Sequence, residues 1–187
     1  MKITNFFLFS LLSFFILLGC QEHLARRPIQ QSSGSFLKES VERNKKLIAY
    51  EEALIDSIIL KTPEKHFIAS SKGYWYCYET KITDTLHLKT PKKGDVVLFD
   101  YEITDLVGNI IYTTQELQTQ KYAVDQEEII SGLRDGIKLM KKGETISFLF
   151  PSHMAYGYHG DNKKIGHNIP IICIVTLKDI KNKSINL

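Results

Sequence analysis

The sequence predicts an α+β fold: an antiparallel β-sheet wrapped on one short α-helix, preceded by a long amphipathic N-terminal helix. Three observations predict it. Apolar residues recur at helical spacing over residues 35–61, four runs rich in aromatic and β-branched residues follow, and one further stretch of helical spacing separates the second run from the third. With 187 residues and a 43% hydrophobic fraction, the chain has material for one ordinary domain with appendages.

The chain opens on Lys2 and an apolar run over residues 6–18. At roughly 13 residues this run is shorter than the about 20 that a membrane-spanning helix needs. Leu17-Leu18-Gly19-Cys20 closes it. A small residue before Cys at that position resembles the lipobox of bacterial lipoproteins, which implies a signal peptide over 1–19 and acylation of Cys20, the new N-terminus. Residues 20–34 are polar, contain Pro28 and Ser32-Ser33-Gly34, and read as a flexible tether carrying the lipidated Cys20.

Over 35–61, Leu37, Val41, Leu47, Ile48, Leu54, Ile55, Ile58 and Ile59 form an apolar stripe, and Glu39–Arg43 and Glu42–Lys46 are favourable i,i+4 pairs. The helix is roughly 35 to 40 Å long. Its stripe meets its own domain, a second copy or a partner helix. Thr62-Pro63 stops it, and the period then changes. Gly73-Tyr74-Trp75-Tyr76-Cys77-Tyr78, residues 95–103 and residues 145–150 read as strands. Residues 170–177 (PIICIVTL) are apolar enough for a central strand. The single helix on the sheet is predicted over 127–142, with Ile129, Ile130, Leu133, Ile137 and Met140 on one face and Gly143 as the stop.

The formal charge of +3 is scattered in lysine pairs without a basic stripe, so nucleic acid is not an expected partner. With Cys20 acylated, Cys77 and Cys173 remain, either as a disulfide or as two buried thiols, the latter being favoured. His153, His159, His167 and Asp161 share a loop, but their spacing fits no metal signature. No phosphate loop or Ser/His/Asp order is present, and no cofactor or metal is expected.

The order of these pieces, with particular residues at their joints, resembles the FK506-binding family (FKBP type) of peptidyl-prolyl cis/trans isomerases. The residues that carry the resemblance are Val96 to Tyr101 with the turn Asp105-Leu106-Val107-Gly108-Asn109, then Ile129-Ile130-Ser131-Gly132-Leu133, then Gly136-Ile137, Met140 and Gly143. Pro151-Ser152-His153-Met154-Ala155-Tyr156-Gly157-Tyr158-His159-Gly160 completes the pattern. The resemblance implies an FKBP-type domain over 73–182 that isomerises X-Pro bonds of exported proteins. It implies an apolar cup of Tyr101, Ile129, Ile130, Leu133, Tyr156, Ile165 and Cys173, in which the Tyr156 hydroxyl and the Ile130 N–H hold substrate carbonyls. The sequence departs from the family where Leu133 replaces a Trp, Cys173 and Gln120 replace aromatics, and Tyr112 stands in place of an Asp and refills part of the aromatic wall. These departures imply low to moderate activity and poor binding of FK506.

The whole chain is also similar to the gliding-motility-associated FKBP-type lipoproteins of Bacteroidota, through Gly34-Ser35-Phe36, Glu39-Ser40, Arg43-Asn44 and Gly132 to Gly136. That likeness implies a cell-envelope protein held by acylated Cys20, with Gln21 rather than Asp after the cysteine favouring the outer over the inner membrane, and with motility- or secretion-apparatus proteins as partners. A scaffold with an inactive FKBP-like cup is the alternative.

Overall fold

The structure is a computed structural model that describes residues 33–83 and 89–181. The predicted signal peptide, Cys20 and most of the tether lie outside the described residues. No helix among the described residues is long and apolar enough to cross a membrane.

Helix α1 spans Ser33–Lys61, against an expectation of 35–61. Chain contacts divide at residue 40, so residues 41–61 of α1 belong to the same compact unit as everything downstream. Within that stretch full or partial burial includes Leu47, Ile48, Glu51, Leu54, Ile55, Ile58 and Ile59, a period of three to four. Glu42 pairs with Lys45 at 3.5 Å rather than with Lys46.

Among the described residues seven strands follow: β1 (Ile68–Ala69), β2 (Trp75–Thr80), β3 (Val96–Thr104), β4 (Ile110–Tyr112), β5 (Gln120–Ala123), β6 (Thr145–Phe150) and β7 (Ile171–Lys181). They form one antiparallel sheet in the order β1-β2-β6-β7-β3-β4. Strand β3 has a divided outer edge: β5 pairs with Val96 to Phe99, and β4 pairs only with Ile103 and Thr104. Residues 100–102 have no strand on that side. The short helix α2 (Thr114–Leu117) bridges this gap, started by a capping box in which the Thr113 hydroxyl accepts from the Glu116 N–H and the Glu116 carboxylate accepts from the Thr113 N–H.

Helix α3 lies on one face of the sheet, but it spans only Ser131–Gly136 and continues as a 3-10 turn, Ile137–Leu139. This corrects the expected helix over 127–142. The apolar spacing reads as one continuous period, whereas the chain turns over residues 123–127 and runs without regular structure over 128–130: the Gln126 and Glu127 N–H groups donate to the Ala123 carbonyl at 3.0 and 3.2 Å, and the Glu127 carboxylate accepts from the Ala123 N–H. Ile130 then takes an extended conformation (φ −53°, ψ 141°).

The main core lies between α3 and the sheet face built from Val97, Phe99, Ile103, Phe148, Phe150, Cys173, Val175 and Leu177. Gly132 and Gly136 allow α3 to approach closely, since a Cβ on either would come within 2.5 and 2.7 Å of the Phe150 and Phe148 rings. Those two rings stack at 5.3 Å. The opposite face of the sheet, with Ser147, Leu149, Ile172 and Ile174, forms a groove with Ile58 of α1 and with Thr62 and Phe67 just after it. Residues Ile146 to Phe150 of β6 are therefore buried without alternation, as in a strand covered on both sides.

Cys77 and Cys173 are free and buried. The pairing Cys77↔Ser147 puts the first on the α1 face, and Phe148↔Cys173 puts the second on the α3 face, so the sheet itself separates the two thiols.

Candidate functional site

The eight residues expected to line a cup all belong to the main core cluster or pack against it. Leu133, Ile165 and Cys173 are buried in the cluster, and Tyr101, Tyr112, Ile129, Ile130 and Tyr156 pack against it while remaining partly exposed. Tyr101 lies on the core-facing side of β3, opposite Val175 and with its ring 5.5 Å from Phe99. It falls within the stretch of β3 whose outer edge carries α2 in place of a strand. Leu133 is 1% exposed and forms the floor from α3. Gln120 begins β5 and is bonded to the Leu117 carbonyl, so it forms part of the wall rather than an aromatic lining.

Ile130 caps α3, and among the described residues its N–H has no acceptor, while its carbonyl accepts from the Arg134 N–H at 3.0 Å. Ser131 ties this corner to the next loop by donating from its hydroxyl to the Met154 carbonyl at 3.2 Å. Pro151 ends β6, and Ser152–Met154 form a 3-10 turn that delivers Tyr156. The Ser152 carbonyl accepts from the N–H groups of Ala155 and Gly157, at 3.0 and 2.8 Å, on either side of Tyr156. Two glycines complete the loop: Gly157 has φ +59° and Gly160 φ +66°, and a Cβ at Gly160 would meet the Ile165 carbonyl at 2.3 Å.

Asp161 was considered only as a metal ligand in the sequence, but it organises the rim. Its Oδ1 accepts from the N–H groups of Lys163 and Ile165 at 2.9 and 2.8 Å, which fixes Ile165, and its Oδ2 accepts from the Tyr112 hydroxyl. Lys164 reinforces the same seam, donating to the Ile111 carbonyl at 3.1 Å and lying 4.7 Å from the centre of the Tyr112 ring. The Gly-Asp-Asn-Lys order, a turn former followed by an Asx residue, was the available signal.

Burial sets the protonation of the site. It pushes the Tyr101 hydroxyl up to about 12, and it raises Tyr156 and Cys173 as well. Tyr101, Cys173, Asp161 and Tyr112 add to the upward shift at Tyr156. Burial also pushes the Asp161 carboxyl up, but the Tyr112 hydroxyl and the two backbone N–H groups outweigh it and leave it below the ordinary range. At neutral pH the cup therefore offers neutral hydroxyls and a thiol on an apolar floor, with one carboxylate at the rim. Such a site can enclose an apolar ring and donate hydrogen bonds, but it holds no activated nucleophile.

Residues 88–178 match a family model described as FKBP-type peptidyl-prolyl cis-trans isomerase. A relative described as the probable FKBP-type peptidyl-prolyl cis-trans isomerase FkpA of Neisseria meningitidis serogroup B is 30% identical over 88 residues, which cover 47% of this chain and 32% of that protein. The match thus spans about a third of the relative's length. The crystal structure of FkpA from Escherichia coli superposes with a TM-score of 0.59 at 22% identity, covering 96% of this chain and 83% of that one. The peptidyl-prolyl cis-trans isomerase of Pseudomonas syringae pv. tomato gives 0.57 at 19% identity, covering 74% and 96%. At these identities the two structures speak for the fold, and the family match adds that residues 88–178, just under half of the chain, are similar to the FKBP-type peptidyl-prolyl cis-trans isomerases.

Proposed function

We propose that this chain is a peptidyl-prolyl cis/trans isomerase whose FKBP-type domain, over 73–182, binds an X-Pro segment in the cup and lets its imide bond twist. The observation that carries the reading is that Tyr101, Tyr156, Ile129, Ile130, Leu133, Ile165 and Cys173 lie in or against one apolar cluster, with an Ile130 N–H that has no acceptor among the described residues. Rotation about the imide loses amide resonance, a barrier of about 18–20 kcal/mol, so catalysis requires tighter binding of the twisted form than of either planar one. An apolar floor withdraws the imide from water and disfavours its charge-separated planar form. The Tyr156 hydroxyl and the Ile130 N–H hold the flanking carbonyls, and neither transfers a proton. With Leu133 as the floor, the rate is modest and FK506 binds poorly.

The finer reading is a lipoprotein of the cell envelope. Acylated Cys20 anchors it, and its clients are exported proline-containing proteins, including components of a gliding-motility or secretion apparatus. The lipobox-like Leu17-Leu18-Gly19-Cys20 supports the anchor, and Gly34-Ser35-Phe36 with Arg43-Asn44 supports the motility assignment. Labelling cells with a palmitate analogue tests the anchor: label on the wild type and none on Cys20→Ser is the expected result.

A protease-coupled isomerisation assay with Ala-Leu-Pro-Phe and Ala-Phe-Pro-Phe peptides tests the activity. The wild type should exceed the uncatalysed rate, and Tyr156→Phe, which removes only the hydroxyl, should lose roughly tenfold in kcat/KM. No rate above background from folded protein would favour a scaffold that binds through an inactive cup.

A further inference from the structure

Helical spacing puts Glu51 where an apolar residue belongs. It lies between Ile48 and Ile55 on the buried face of α1 and is 1% exposed. Its Oε2 accepts from the Ser152 N–H at 2.8 Å, across 101 positions of sequence. Its Oε1 has no hydrogen-bond partner among the described residues. Glu144 is also buried, but its two oxygens accept from the Ile82 and Lys141 N–H groups at 3.3 and 2.8 Å. A carboxylate buried with one oxygen unengaged is unfavourable, and an apolar side chain of similar volume would pack there at lower cost. Stability is therefore a poor account of Glu51, and geometry is a better one.

We infer that Glu51 is a positioning residue for the active site, a role that rests on reading the 151–160 loop as part of that site. Ser152 gives its N–H to α1 and its C=O to both neighbours of Tyr156. Charge-assisted hydrogen bonds to a carboxylate are shorter and more directional than neutral ones, so this contact fixes where the 3-10 turn starts and hence where the Tyr156 hydroxyl points. The long helix thus contributes to the cup without touching substrate. Its contribution is transmitted through one backbone N–H.

The test compares the full chain with Glu51→Leu and Glu51→Gln. Glu51→Leu should melt no earlier than the wild type, yet lose roughly tenfold in kcat while KM stays within about twofold, because a misplaced loop impairs the transition state more than ground-state binding. Amide exchange at residues 152–157 should quicken in the same variant, with the rest of the sheet unchanged. Glu51→Gln retains an oxygen for the Ser152 N–H and should recover most of the rate. Full kcat and unchanged exchange in Glu51→Leu would overturn the inference, as would an equal loss in both variants. If the wild type itself shows no isomerase activity, the functional reading fails, and amide exchange alone decides the role of Glu51. Should Glu51→Leu not fold, the Ser152 amide resonance in Glu51→Gln decides: it must move, and an unchanged resonance refutes the contact.

Discussion

Tyr112 and Asp161 meet at the rim from opposite walls of the cup, one from β4 and one from the loop before β7, so this single contact joins two walls. Its pH dependence follows from the lowered Asp161 pKa. A carboxyl whose folded pKa lies below its unfolded value of about 3.9 stabilises the fold above that value and loses the contribution as pH falls through the folded one. Asp161→Asn should therefore be about 1 kcal/mol less stable than the wild type at pH 7 in urea melts, and the difference should shrink as pH falls below the unfolded value of about 3.9. Tyr101 and Tyr156 were legible in the sequence because an aromatic in a Val-Val-x-x-x-Tyr strand and in an Ala-Tyr-Gly loop matches a known pattern. Glu51 and Asp161 were not. Each acts through a hydrogen bond to a residue distant in sequence or to local backbone, and hydrophobic periodicity carries no trace of such a bond.

At the scale of elements, α3 depends on having no side chain where it meets β6. Ala at 132 or 136 would normally gain about 1 kcal/mol in a helix. Here the added methyl collides with the buried Phe150 or Phe148 ring. Gly132→Ala and Gly136→Ala should each lower stability by roughly 1–3 kcal/mol in urea unfolding, and they should also displace Leu133 from the cup floor. Four strands and both major helices were readable because each carries a run long enough to show its period. β4 and β5 were not, since Ile110-Ile111-Tyr112 and Gln120-Lys121-Tyr122-Ala123 owe their pairing to the edge of β3 rather than to any pattern of their own. The overlong helix 127–142 arises because Ile129 and Ile130 continue the apolar spacing of α3, although they precede that helix in irregular backbone.

For the molecule as a whole, the alternatives left open by the apolar stripe of α1 narrow over residues 41–61, where its buried positions lie within the same compact unit as the sheet. Ile55 is fully buried, and Leu149 on the rear of the sheet is 1% exposed. Burial of this kind couples the helix to the domain, so thermal unfolding followed by far-UV circular dichroism and by fluorescence of Trp75, the one tryptophan, should give superimposable transitions. A helical transition preceding the Trp75 one would show that α1 docks only loosely. The divided edge of β3 bears on how such a domain can diversify. Because β4 and β5 hold separate ends of that strand, the stretch from 113 to 119 can be lengthened or exchanged with no ladder rung lost. One wall of the cup is thus replaceable cargo on a fixed chassis, which makes this the place to graft a new peptide preference.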